Sequence, residues 1–119
     1  MEKKMLDYVT EKTNDLIKAE TCCKEAKAAG QAWLKAAGTD KEAEETRKYI
    51  AELEEDILPI DGLIAFTESP DAVRYCGEDG AKELAAHARS LKAACARYCD
   101  CPACTAAAAI LVKKKEMLG

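Results

Sequence analysis

The chain has one histidine, one tryptophan, one phenylalanine and three prolines in 119 residues, and each scarcity removes a class of site. A single His87 with no Glu three residues before it excludes the paired Glu-x-x-His motifs of a di-iron bundle. No glycine-rich phosphate loop, Gly-x-Ser-x-Gly elbow or His-Glu-x-x-His motif is present, so the usual nucleotide, hydrolase and metalloprotease signatures are missing. β-Branched residues are few and never alternate over a sustained run, which argues against a sheet. The net charge of −4 leaves no basic footprint, so neither nucleic acid nor an anionic membrane is an expected partner.

Long apolar runs are lacking too. The longest, Ala106 to Val112, is far too short to span a bilayer. The start, Met1-Glu2-Lys3-Lys4-Met5, leads into a stretch broken by Asp7, Glu11 and Asp15, unlike the apolar region of a signal peptide. A cytoplasmic location is therefore expected, where thiols stay reduced. An odd number of cysteines, seven, fits a disulfide framework poorly.

What is plentiful is Ala, Glu, Lys and Leu, all helix formers, and their apolar spacing is helical throughout. Met5, Val9, Thr13 and Leu16 stripe a helix over residues 2–19. Thr21 is placed to cap a second helix whose inward face reads Cys23, Ala26, Gly30, Trp33 and Ala37, ending at Gly38. Thr39-Asp40-Lys41-Glu42 has the form of a capping box, opening a third helix through Ala43, Thr46, Ile50, Leu53 and Ile57 that Pro59 ends. Residues 60–76 read as a short apolar turn followed by a short helix from Ser69-Pro70, and Gly77 to Gly80 as a break. Leu84, Ala88, Leu91, Cys95 and Tyr98/Cys99 stripe a long fifth helix, and Pro102 starts a sixth that runs to Met117. The predicted fold is all-α: one domain over residues 1–119, a compact antiparallel bundle of about four long helices plus short segments. Alternating directions would bring the 20–23, 58–60 and 99–104 turns to one end. Cys76 and His87 would lie away from them, His87 and Cys95 being roughly 12 Å apart along a helix axis.

The most specific chemistry lies in Cys95, Cys99, Cys101 and Cys104, four thiols in ten residues. With Pro102 at the first helical position, Cys101 becomes an N-cap and Cys104 enters the first turn, where unpaired N–H groups and the helix dipole favour thiolate. Asp100 opposes that effect, since a neighbouring anion raises a thiol pKa. Soft ligands on a tight turn suit zinc, copper(I) or an Fe–S cluster. Cys99, Cys101 and Cys104 are the expected metal ligands, and Cys95, Cys22 or Cys23 the expected fourth. Zinc is the first choice, because closed four-coordinate thiolate sites staple turns.

Packing, redox chemistry and protein contact compete with metal binding for these thiols. Cys95 and Cys23 fall in register with apolar stripes, and packing alone accounts for them. Cys101-Pro102-Ala103-Cys104 is similar to the dithiol of thioredoxin-like oxidoreductases at a helix N-terminus, without the βαβ context, and gives the one enzyme-class alternative. A helical interaction module with structural cysteines completes the alternatives. In it Ile110, Leu111, Met117 and Leu118 cover a core or form a homodimer face. The acidic run Glu52, Glu54, Glu55, Asp56 sits unfavourably at a helix C-terminus and is assigned no chemistry.

Ala37-Gly38-Thr39-Asp40-Lys41-Glu42-Ala43-Glu44-Glu45-Thr46, Leu58-Pro59-Ile60-Asp61-Gly62-Leu63-Ile64-Ala65-Phe66 and Tyr98-Cys99-Asp100-Cys101-Pro102-Ala103-Cys104 carry a resemblance over nearly the whole chain. It resembles a family of small cytosolic bacterial proteins of unknown function, some automatically labelled heat-shock or Hsp90-type chaperones. An Hsp90 ATPase domain is far longer, mixes sheet with helix and needs glycine-rich nucleotide motifs, and this chain has none of these features. The resemblance implies a genuine family with the cysteine turn and transfers no activity.

Overall fold

The structure, a computed structural model, describes residues 1–119. It is all-α: seven helices and no strand. In order they are α1 (Lys3–Lys18), α2 (Lys24–Ala36), α3 (Glu42–Asp56), α4 (Ile60–Thr67), α5 (Pro70–Ala93), α6 (Pro102–Leu111) and α7 (Lys114–Leu118). None is long and apolar enough to cross a membrane. The chain divides into two compact units, Met1–Ile57 with Asp100–Gly119, and Leu58–Cys99.

In the first unit α1 packs on α2 and α6, α2 on α3, and α3 against α6 and α7. The core is apolar with a few polar groups fully satisfied. The Trp33 indole N–H donates to Thr46 Oγ1 at 2.9 Å, and Thr13 Oγ1 and Tyr49 Oη share a hydrogen bond at 2.9 Å. The Trp33 and Tyr49 rings stack with centroids 5.9 Å apart. Burial pushes the Tyr49 phenol up to about 12, against the lowering effect of Thr13. Gly30 lets α2 approach α1 closely: a Cβ there would meet Thr13 Cγ2 at 3.2 Å.

The helix starts differ from the sequence reading in two places. Thr21 does not cap α2. Cys23 does, its Sγ accepting the Ala26 N–H at 3.4 Å, so Cys23 is exposed and not part of the inward face. That face is Ala26, Gly30, Trp33 and Ala36, one residue earlier than the expected Ala37. At α3 the expected box is displaced: Thr39 Oγ1 donates to the Ala36 carbonyl at 2.6 Å, and Glu42 accepts from the Gly38 N–H at 3.0 Å. Both residues close the α2–α3 turn instead. Ala43 lies off the buried face, which Tyr49 joins beside Thr46, Ile50 and Leu53.

In the second unit α4 lies on α5 around Ile60, Leu63 and Ala88, with Leu58, Ile64, Leu91 and Cys99 packed beside them. The apolar turn expected at 60–66 is the helix α4. Gly77 takes φ 79 and ψ 168, a non-helical break inside α5 where the sequence placed one. The stripe through Cys95 and Cys99 is not helical. Helix α5 ends at Ala93 in a Schellman motif: Ala96 N–H donates to the Leu91 carbonyl at 2.9 Å and Cys95 N–H to the Lys92 carbonyl at 2.9 Å. Cys95 occupies the left-handed position at φ 66, usually glycine, and is exposed rather than buried in a core. Two antiparallel backbone bonds then hold the following segment: Ile60 N–H to the Arg97 carbonyl at 2.8 Å and Cys99 N–H to the Leu58 carbonyl at 2.9 Å.

A candidate metal centre on the cysteine turn

The cysteine turn is built from six consecutive residues, Cys99 to Cys104. Each of its thiols is positioned by backbone. Cys99 follows the short pairing with Leu58. Cys101 is the N-cap of α6 with extended backbone, Pro102 takes the first helical position, and Cys104 lies in the first turn, as the spacing predicts. The Cys104 N–H donates to Cys101 Sγ at 3.4 Å, the same sulfur cap that Cys23 gives α2. Thr105 Oγ1 donates to the Asp100 carbonyl at 3.1 Å, tightening the turn from the other side.

The outcome is a triad. The sulfurs of Cys99, Cys101 and Cys104 all lie within 4.8 Å of one another. Cys99 and Cys101 are half-buried and Cys104 is buried. Three thiols so close, on a turn fixed by backbone hydrogen bonds, form a donor set that can hold a thiophilic metal ion. Of the other residues named from the sequence, Cys22, Cys23 and Cys95 stand outside the triad. Cys95 is turned away from its helix stripe by the left-handed residue that it itself provides.

Cys22 and Cys23 are nonetheless close. Thr21 Oγ1 accepts the Ala103 N–H at 3.1 Å, tying the 20–23 turn to the first turn of α6. Behind Cys104 lies a cavity of about 60 Å³, bordered among others by Thr21, Cys22, Cys23, Asp56 and Cys104. Burial pushes the Cys22 thiol up first, then the charge of Cys23, with Asp56 and Cys101 adding and Lys27 opposing. Burial also raises the Cys23 thiol, as do the charge and hydrogen bonding of Asp56, while the Ala26 N–H lowers it. The Cys22 Sγ–H donates to the Cys23 carbonyl at 3.4 Å.

Asp56 is the residue that sequence reasoning passes over. It ends α3, and the acidic run to which it belongs is partly relieved by an ion pair of Glu54 with Lys114 at 3.0 Å. The Asp56 Oδ2 is buried and has no hydrogen-bond partner of its own, while the carboxylate hydrogen-bonds to the Cys23 thiol and to Glu52. The signal in the sequence is the poor fit of several acids to a helix C-terminus. His87 is exposed on α5 and takes no part in the triad. Comparison with protein-family models, with curated proteins and with solved structures finds no match for this chain.

Proposed function

We propose that this protein binds a thiophilic metal ion through Cys99, Cys101 and Cys104, zinc first, with copper(I) or an Fe–S cluster as alternative occupants. The observation that carries the reading is the mutual approach of the three sulfurs within 4.8 Å. Their support fits metal chemistry: a ligand thiolate is steadied by N–H···S bonds, and Cys101 already accepts one from Cys104. For the fourth donor the 20–23 turn is favoured, because Cys22 lines the same small cavity as Cys104. Cys95 is the poorer choice, being held by its capping role at the end of α5.

In this reading the ion staples the start of α6, and the role is structural rather than catalytic. Short connections make α1, α2 and α3 antiparallel neighbours, the frame on which the turn is mounted. A reducing cytoplasmic setting would keep the ligands as thiols. The test is anaerobic purification of wild type and Cys101→Ser, followed by elemental analysis and thermal melting. The variant should lose bound metal and melt lower. Unchanged metal and melting temperature would reject the site.

A second reading has its own support. Cys101 and Cys104 are N-cap and first-turn residues of α6, the setting in which a dithiol closes to a disulfide with loss of two electrons to an oxidant. It predicts rapid alkylation of one of these thiols in metal-free protein. Reaction at the pace of an ordinary thiol would count against it.

A further inference from the structure

Metal binding and disulfide formation draw on the same two sulfurs. Cys101 and Cys104 belong to the triad whose sulfurs lie within 4.8 Å of one another, and they also bracket the first turn of α6. A sulfur that donates to a zinc ion is held as thiolate, the form that attacks oxidants. Zinc itself has no redox chemistry, so an oxidant that reaches the occupied site takes its electrons from sulfur. The three sulfurs differ in their surroundings. Cys104 is buried, and Cys99 packs against the apolar cluster of Ile60, Leu63 and Ala88. Cys101 is half-buried, precedes the exposed Pro102 and accepts the Cys104 N–H at 3.4 Å.

We propose that the centre responds to hydroperoxides: oxidation of Cys101 and Cys104 to a disulfide expels the zinc ion. Cys101 is the attacking thiolate, Cys104 the resolving thiolate and Cys99 the ligand left behind. In the first step the Cys101 sulfur attacks one oxygen of hydrogen peroxide. An S–O bond forms, the O–O bond breaks, and the departing oxygen takes a solvent proton and leaves as water. In the second step the Cys104 sulfur attacks the sulfur of the resulting sulfenic acid. The S–S bond forms, the S–O bond breaks, and a second water leaves with another solvent proton. The two sulfurs lose two electrons and the peroxide gains them. Residues three apart on a helix have Cβ atoms roughly 5–6 Å apart, and Cys101, as the cap with extended backbone, stands outside the helix and can close that gap. The thiolate is the form that ligates metal, so the disulfide removes two of the triad's three donors at once. A dithiol reductant restores them by exchange.

This inference rests on the triad reading above, and the experiment separates the two. The metal-free full-length chain is loaded anaerobically with zinc, desalted and treated with stoichiometric hydrogen peroxide. Released zinc is read with a chromogenic chelator, free thiols are counted in parallel, and disulfides are mapped by mass spectrometry of peptides from the alkylated protein. One zinc should be released for each Cys101–Cys104 disulfide, with the loss of two thiols, and a dithiol reductant should restore binding. Cys95→Ser should release zinc as wild type does. Metal-free Cys104→Ser, checked for its fold by circular dichroism, should stop at a sulfenic acid on Cys101 that a 1,3-diketone probe captures. Zinc retained after peroxide treatment, or released with a disulfide at any other pair, overturns the inference and leaves the triad standing. A probe adduct on another cysteine in place of Cys101 overturns it too. No zinc in wild type before peroxide is added overturns both readings.

Discussion

The hydroxyl oxygen of Thr21 accepts the backbone N–H of Ala103 at 3.1 Å, across eighty-two positions of the chain. The amide belongs to the first turn of α6, one of the donors a helix cannot satisfy internally. The contact is therefore more than a cap: it ties the 20–23 turn to the helix that carries Cys101 and Cys104.

Removing that hydroxyl should act on both stability and metal binding. Thr21→Val is expected to destabilise the protein by about 1 kcal/mol, the usual worth of one such hydrogen bond. Thr21→Ser should behave as wild type. Zinc affinity should fall in the valine variant only. Equal zinc affinities for valine and serine would separate the contact from the metal centre.

Cys95 provides a gain rather than a loss. A non-glycine residue in the left-handed region costs roughly 1–2 kcal/mol relative to glycine, and Cys95 sits there at φ 66. Cys95→Gly should raise the denaturant midpoint by an amount of that order without changing bound metal. A drop in metal content would make Cys95 a ligand after all.

Gly30 should tolerate no side chain. In an exposed helix Gly→Ala gains about 1 kcal/mol, but here the new methyl would press on Thr13 Cγ2 at 3.2 Å. Thr13 is buried and tied to Tyr49, so it has little room to yield. Overpacking costs about 1–3 kcal/mol, and Gly30→Ala should come out destabilising by roughly 1 kcal/mol in chemical denaturation. A stabilised variant would show that α1 and α2 can separate.

The phenol of Tyr49 gives a pH signature. Its folded value, about 12, lies above the ordinary value of 10.0. The fold thus favours the neutral form, and the contribution is complete below about pH 10 and lost as pH rises towards 12. Stability measured by denaturant should fall through that window, and Tyr49→Phe should flatten the fall. The phenylalanine variant should also be less stable near neutrality, because Thr13 loses its partner.

Much of this protein is legible in its sequence, and the failures have physical causes. The N-cap at Cys101, the proline after it and the break at Gly77 follow from local backbone rules, and the structure has all three. The end of α5 is hidden because Leu91, Cys95 and Cys99 keep helical spacing. That spacing is accidental, since a Schellman turn forms with cysteine where glycine is the usual signal. Thr21 and Cys23 exchange roles because both can accept a hydrogen bond, and only the partner helix α6 decides which does so. The triad depends on residues within one turn, so their spacing alone points to it. The cavity with Asp56 joins three distant stretches of chain, and no spacing rule reaches that far.

Sulfur atoms begin two helices here, at Cys23 and at Cys101. Any chemistry at either atom, whether ligation, oxidation or alkylation, alters the acceptor that the Ala26 or Cys104 amide relies on. The state of the thiols is therefore written into the amide hydrogen exchange of α2 and α6. Loss of a metal ion or attack by an oxidant would reach the rest of the protein as fraying of a first helical turn.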